Sequence, residues 1–328
     1  MFLERAVVVS VLSLLIILAV DSTRTREAKG IYQGCFWLMK SDWKNRADIV
    51  LAGDSRTGSG VSPAKMSEHL PGRIILNYAF DGVQFHEEYL RSIPKVFDLH
   101  TREKVVILGI TPRTLIGSGI TNDQFKDSKR LSKYHSEILL AIMDRPLRLL
   151  YPMRIRDFFY MFFPGEDTRR FFRTYHADGW AERNTMQSDS EKMVDLYKET
   201  FVKHQVSPNI IAGLLRFVQE WTKIGIKVYG FRPPTSPQMF EAESALSGFD
   251  EKSFVLSFGQ AGGIWIAVKQ TGYPTYDGSH LRPDAAEAFS FDLGAMISER
   301  LNDRFNVQRT SLGYAAPADS QTVLTKDP

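Results

Sequence analysis

The stretch Asp48-Ile49-Val50-Leu51-Ala52-Gly53-Asp54-Ser55-Arg56-Thr57 is a short apolar run that stops abruptly at a glycine followed by polar side chains. A continuous apolar run of this length reads as a strand, Asp48–Ala52, buried on both faces. Such strands belong to parallel sheets with helices on either side. Working outward, Arg73–Asn77 and Lys104–Gly109 repeat the pattern, Ile226–Phe231 makes a fourth strand and Ile264–Val268 a fifth. Helical segments lie between them. Ser62-Pro63 supplies an N-cap and a proline at the first helical position, and Phe85–Phe97 puts Phe85, Tyr89 and Ile93 on one face. Ser207-Pro208 opens an amphipathic helix with Ile211, Leu214, Leu215, Val218 and Trp221 on one face and Gly225 at its stop, and Pro283 opens a last helix through about Leu301. The alternation predicts an α/β fold, a doubly wound parallel sheet over residues 46–305.

Two regions depart from the alternation. Residues 122–195 read as a mostly helical insertion with aromatic clusters at Phe158-Phe159-Tyr160-Met161-Phe162-Phe163 and Phe171-Phe172. This insertion is either a cap over a site, a surface resting on a bilayer through Arg154, Arg156, Arg169 and Arg170, or a subdomain burying its own rings. At the other extreme, residues 306–328 are polar, small and aperiodic and read as a disordered tail.

Ala6–Val20 is a 15-residue run without charge. At 1.5 Å per residue it spans about 22 Å, short of the roughly 30 Å hydrocarbon core without help from its flanks. Leu18-Ala19-Val20-Asp21 offers no Ala-x-Ala cleavage pattern, so residues 1–24 are expected to be an uncleaved signal anchor, a transmembrane helix, and residues 25–45 a juxtamembrane segment.

Composition narrows the chemistry. The 328 residues are 43% hydrophobic and 24% charged, with a net charge of only +3 and no long run of like charge, which argues against a nucleic-acid partner. Cys35 is the lone cysteine, so an internal disulfide and a multi-cysteine metal site are impossible. His69, His86, His100, His135, His176 and His204 lack metal-ligand spacing. Gly117-Ser118-Gly119 leads to Asn122 rather than a further glycine, and Gly53–Gly58 lacks a phosphate-loop lysine. No metal and no cofactor are expected.

Ligands of an open parallel sheet bind beyond the carboxyl ends of its strands. That rule selects the loops Gly53–Thr57, Asn77–Gly82, Gly109–Arg113 and Tyr276–Leu281. A serine hydroxyl is a weak nucleophile and needs a base titrating near neutrality; histidine suits, provided a carboxylate fixes its tautomer. Asp277 and His280 stand three residues apart in one loop and Ser55 stands in another, so the three are candidates for a nucleophilic unit. The backbone N–H groups of Ser55 and Gly82 are candidate donors to an oxyanion. Arg56, Arg113 and Arg232, at strand ends, are candidates to clamp an anionic group of the substrate.

Gly53-Asp54-Ser55, Gly82 and Asp277-x-x-His280, in this chain order, resemble the blocks of the SGNH or GDSL-like hydrolase family. The resemblance spans about Ile49–Leu301 and omits the anchor, the insertion and the tail. It implies a flavodoxin-like sheet of the SGNH hydrolase type, with Ser55 as nucleophile, His280 as base, Asp277 as its orienting partner, and Ser55 and Gly82 in the oxyanion hole. Where the family has Gly-x-Asn-Asp, this chain has Gly109-Ile110-Thr111-Pro112, so Thr111 stands in for the third donor, with Arg113 as the alternative.

The implied activity is acyl transfer through an acyl-enzyme, to water or to a sugar hydroxyl. An anchor ahead of such a domain resembles envelope proteins that O-acylate exported polysaccharides. It implies a single-pass protein of the bacterial inner membrane with its catalytic domain on the periplasmic side, acting on acyl esters of a glycan beside a polytopic acyltransferase partner. Two other readings remain: a lipid or small-ester hydrolase with the insertion as lid, and a non-catalytic envelope assembly or binding protein that keeps the fold.

Overall fold

The structure, a computed structural model, describes residues 33–117, 122–132, 171–185 and 190–311, with Ile31 and residues scattered between 5 and 16. The chain runs α1 (Gln33–Ser41), β1 (Ile49–Gly53), α2 (Ser55–Gly60), α3 (Pro63–Met66), β2 (Ile75–Asn77), α4 (Glu87–Ser92), β3 (Val105–Gly109), α5 (Gln124–Ser132), β4 (Phe171–Tyr175), β5 (Ala181–Thr185), α6 (Ser190–Lys203), α7 (Pro208–Lys223), β6 (Lys227–Phe231), α8 (Pro237–Leu246), α9 (Glu251–Gln260), β7 (Ile264–Trp265) and α10 (Pro283–Ser311).

Five strands form one parallel sheet in the order β2-β1-β3-β6-β7. This is the flavodoxin-like order, and the chain reverses its direction of travel across the sheet between β1 and β3, the point at which open sheets of this kind place a ligand crevice beyond the strand ends. Successive side chains of β1 leave on opposite faces, as the pleat requires. Val50 and Ala52 join Phe36, Trp37, Tyr89, Leu214 and Trp221 on one side. Ile49 and Leu51 join Met66, Phe289, Leu293 and Ile297 on the other. Each such large side chain contributes about 1.5–3 kcal/mol by leaving water, so a strand apolar at every position is stable only between two helical layers.

Several expectations are corrected. The helix expected over Phe85–Phe97 is α4 followed by a 3-10 turn, Ile93–Val96, because Pro94 lacks the N–H an α-helix needs. Phe85, Tyr89 and Ile93 are nevertheless all buried. The fifth strand, expected to reach Val268, is only Ile264–Trp265.

In the insertion, α5 and α6 are helical as expected, but Phe171–Tyr175 and Ala181–Thr185 pair as an antiparallel hairpin around Asp178-Gly179. Gly179 takes φ +88°, and a Cβ there would lie 2.1 Å from the Asn77 carbonyl oxygen. The aromatic run 158–163 and Arg154, Arg156, Arg169 and Arg170 lie outside the described residues. The last helix continues to Ser311, into the stretch expected to be disordered; residues 312–328 lie outside the description.

The anchor expected over 1–24 is described only in part. Residues 7–13 and 15–16 are helical, with Val7 and Ile16 among the exposed side chains, and no described helix is long and apolar enough to cross a membrane. The segment expected to be juxtamembrane contains α1, whose Cys35, Phe36 and Trp37 are buried in the domain core.

Helix α1 also buries Lys40 completely. Its ammonium donates to the Gly179 carbonyl at 2.8 Å and lies 5.1 Å from the Phe36 ring centroid and 5.3 Å from those of Trp37 and Phe80. Burial pushes its pKa down from 10.5 to about 7 against the fields of Asp81 and Asp178, with Arg183 adding to the drop. The unfolded chain therefore holds more protons than the folded one between about 7 and 10.5, and the contribution of Lys40 to stability rises with pH across that window. Thermal melts should show the wild type gaining on Lys40→Met as pH rises from about 7 to about 10; a difference independent of pH would contradict this burial of charge.

Candidate active site

Strand β1 ends at Gly53 because nothing larger fits: a Cβ there would sit 2.4 Å from Thr57 Oγ1 and 2.7 Å from the Gly109 carbonyl oxygen. The chain turns at Asp54, whose carboxylate caps α2 by accepting from the Arg56 N–H at 3.0 Å and also accepts from the Thr111 hydroxyl at 2.7 Å. Asp54 thus bolts the loop after β1 to the loop after β3. Asn77, at the end of β2, donates from its amide to the carbonyls of Thr57 (2.9 Å) and Val61 (2.8 Å). The Tyr89 hydroxyl accepts from the Gly53 N–H at 3.0 Å and donates to the Tyr78 carbonyl at 2.9 Å. Ser55 is left as the first residue of α2, half-buried and fixed from three sides.

Across the crevice, the loop before α10 supplies the partner. Ser55 Oγ lies 2.8 Å from His280 Nε2, and His280 Nδ1 lies 2.8 Å from Asp277 Oδ2. The other oxygen of Asp277 accepts the N–H groups of Ser279 (2.9 Å) and His280 (2.7 Å). Burial pushes the Asp277 carboxyl up, but the charge and hydrogen bond of His280, with those two N–H groups, hold it below the ordinary carboxylate value. An ionised Asp277 can only accept, so Nδ1 carries the imidazole proton and Nε2 accepts from the Ser55 hydroxyl.

Gly82 lies on the loop after β2 with φ +68°, and a Cβ there would fall 1.7 Å from the Asn122 carbonyl oxygen. Only glycine is compatible with both constraints. The N–H groups of Ser55 and Gly82 donate to no acceptor among the described residues.

The three arginines expected to clamp substrate separate. Arg56 is 2% exposed; Nη2 pairs with Glu243 Oε1 at 2.6 Å, and Nε donates to Ser279 Oγ at 2.9 Å. Arg232, 3% exposed, pairs with Glu243 Oε2 at 3.0 Å and Glu251 Oε2 at 2.6 Å while stacking 4.1 Å over Phe240. Both are consumed in a buried ion network and cannot reach a ligand. Arg113 differs: it is half-buried, lies 5.1 Å from the Tyr197 ring centroid and has no carboxylate partner among the described residues. Thr111 is also corrected as an oxyanion donor, because its hydroxyl is spent on Asp54 and its side chain and backbone are tied up in a reciprocal cap with Thr114.

Glu243, Tyr197 and Ser279 were not anticipated. Arg56 stacks 5.1 Å from the Tyr197 ring, whose hydroxyl accepts from Ser279 at 3.2 Å. A glutamate and a tyrosine on amphipathic helices carry no signal that they reach inward to a site.

No family model matches the chain, and no curated protein does. Among solved structures it is similar to a carbohydrate acetylesterase from Sinorhizobium meliloti, at 11% identity and a TM-score of 0.36 over 78% of this chain and 99% of that one. It is also similar to a protein provisionally described as an arylesterase from Agrobacterium tumefaciens, at 13% identity and a TM-score of 0.34 over 77% and 99%. Likeness this distant carries no argument about activity, which has to come from the atoms of the site.

Removing one member of a buried ion network leaves the others charged and unpaired. Glu243→Ala should therefore lower unfolding free energy by about 3–5 kcal/mol, whereas Glu68→Ala in the exposed Lys65–Glu68 pair should leave it nearly unchanged. Equal losses in denaturant titrations would contradict the network.

Proposed function

We propose that this protein is a serine-dependent esterase or O-acyltransferase working through an acyl-enzyme on Ser55. The observation that carries the reading is the relay Ser55–His280–Asp277, with consecutive contacts of 2.8 Å and 2.8 Å. Ser55 Oγ attacks the ester carbonyl carbon as its proton passes to His280 Nε2. Asp277 holds the imidazole in that tautomer and offsets the charge it gains. The carbonyl oxygen becomes an oxyanion, for which the uncommitted N–H groups of Ser55 and Gly82 are the donors. Collapse expels the alcohol, which takes the proton back from His280. Water or a sugar hydroxyl then attacks the acyl-serine by the same path in reverse.

Arg113, the one of the three candidate arginines that has no carboxylate among the described residues, gives the substrate an anionic neighbour to the ester, such as a uronate or phosphate. The uncharged run Ala6–Val20 favours an envelope setting: a single-pass protein of the bacterial inner membrane, its domain facing the periplasm, handling acyl groups on an exported or cell-surface glycan. A polytopic acyl donor in the same membrane is the partner that this setting calls for.

Mass spectrometry after incubation with an acetyl-ester donor should find an acetyl adduct on Ser55, absent in Ser55→Ala and in His280→Ala. Asp277→Asn should cost about ten-thousand-fold in turnover while leaving the fold intact. An adduct that forms equally in His280→Ala would rule out the relay. For Arg113→Gln, kcat/KM should fall about tenfold to a hundredfold on anionic esters and stay unchanged on neutral ones, as the loss of one charge-assisted hydrogen bond implies.

A further inference from the structure

We infer that Arg183, on the inserted hairpin, is a positioning residue that ties the loop carrying the base to the loop carrying Gly82. The inference rests on the acyl-transfer reading and assigns that site a part outside the sheet framework. The ring of Tyr276 stacks on the His280 imidazole, nearly parallel at 11° with centroids 5.7 Å apart. The Tyr276 hydroxyl lies within interaction reach of the Arg183 guanidinium, and each shifts the other's titration. Arg183 Nη2 in turn pairs closely with Asp81 Oδ1, and Asp81 directly precedes Gly82. A continuous path therefore runs from His280 through Tyr276, Arg183 and Asp81 to Gly82, its last link a peptide bond.

The electrostatics agree with this arrangement. Burial disfavours the charged Arg183 guanidinium, yet Asp81 and Tyr276 more than offset it and hold its pKa above the ordinary arginine value. Burial pushes Asp81 up, and Arg183, Arg173 and the nearby His280 pull it below its ordinary value. Arg183 is 6% exposed, too little to meet a substrate, so it acts through Tyr276 and Asp81. The hairpin that presents it is seated independently: Asp178 O accepts from the Asn77 N–H at 2.8 Å, and Trp180 Nε1 donates to the Ser59 carbonyl of α2 at 2.8 Å. A guanidinium suits this place because its planar fork serves a carboxylate and a phenol at once, which an ammonium on a flexible stem does not.

The test is the rate at which a fluorophosphonate probe labels Ser55 in the full-length protein, with Ser55→Ala as blank, for wild type, Arg183→Gln, Tyr276→Phe and the double variant. Each single substitution should slow labelling about tenfold or more, the cost of a small misplacement of reacting groups, and the double should be no slower than the slower single. Arg183→Gln should also move the acid limb of the rate to higher pH, because Asp81 then loses its nearest countercharge and keeps only Arg173 and Lys40, leaving more negative field at the imidazole; Tyr276→Phe, which leaves the Arg183–Asp81 pair intact, should not. A general loosening of the fold would move both or neither. Tyr276→Phe keeps the stacked ring and decides the matter if Arg183→Gln fails to fold. Wild-type labelling that persists unchanged in the variants overturns the bridge alone; absence of labelling in the wild type overturns the acyl-transfer reading and the bridge with it.

Discussion

Ser55 and His280 are separated by 225 positions in the chain and meet at 2.8 Å. Closing a loop of that length costs about 5 kcal/mol in chain entropy beyond a constant term, whereas one hydrogen bond returns about 0.5–1.5 kcal/mol. The contact cannot hold itself. The sheet brings the two loops to the same edge, and Arg56 fastens them. From the residue next to Ser55 it reaches Ser279, the residue next to His280, and ends on Glu243. The clamp moves with the groups it aligns, so alignment is built into the same short segments that carry the chemistry.

Burying that clamp brings its own requirement. An isolated ion taken from water costs several kcal/mol even after the protein relaxes, so each buried arginine needs a carboxylate, and each buried carboxylate a cation or, like Asp54, hydrogen-bond donors. Arg56 and Arg232 share Glu243, and Arg232 also takes Glu251; Arg183 and Arg173 share Asp81; Asp277 faces His280. Exact pairing would leave no charge for a ligand. Arg113 stands outside it among the described residues, lying against the Tyr197 ring instead of a carboxylate, which is what supports the substrate role proposed for it.

The framework was legible because the forces that set it are local. The all-apolar β1 with its glycine stop, the Ser62-Pro63 and Pro283 helix starts and the Asp277-x-x-His280 spacing each read out within ten residues or so, and the sheet order and the Ser55–His280 meeting agree with them. The fates of the arginines were not legible. Arg56, Arg113 and Arg232 look alike in sequence, and what separates them is whether Glu243 and Glu251, on later helices, reach them. Thr111 looked like a donor to the site because the alternative acceptor, Asp54, is 57 positions away in the chain. The hairpin at Phe171–Thr185 was hidden for a related reason. It neither extends the parallel sheet nor alternates cleanly, and its seat on Asn77, Ser59 and Lys40 is a tertiary contact.

That hairpin changes what counts as the active site. In a doubly wound fold the strand-end loops are sufficient to assemble a nucleophile, a base and a carboxylate, and an insertion is free to drift into a lid or a partner surface. Here the insertion packs against the loop after the short edge strand β2. Only three residues of β2 pair with β1, so the Asp81-Gly82 turn beyond it gets little help from the sheet. Asn77 and Asp81 receive their outer partners, Asp178 O and Arg183, from the hairpin, and Gln124 N, from α5, donates to Asp81 O at 3.0 Å. The role proposed for the Gly82 N–H, as donor to a developing oxyanion, calls for a stiff loop, since donors that reorganise during the reaction lose most of their advantage. The edge strand does not supply that stiffness, and the insertion does.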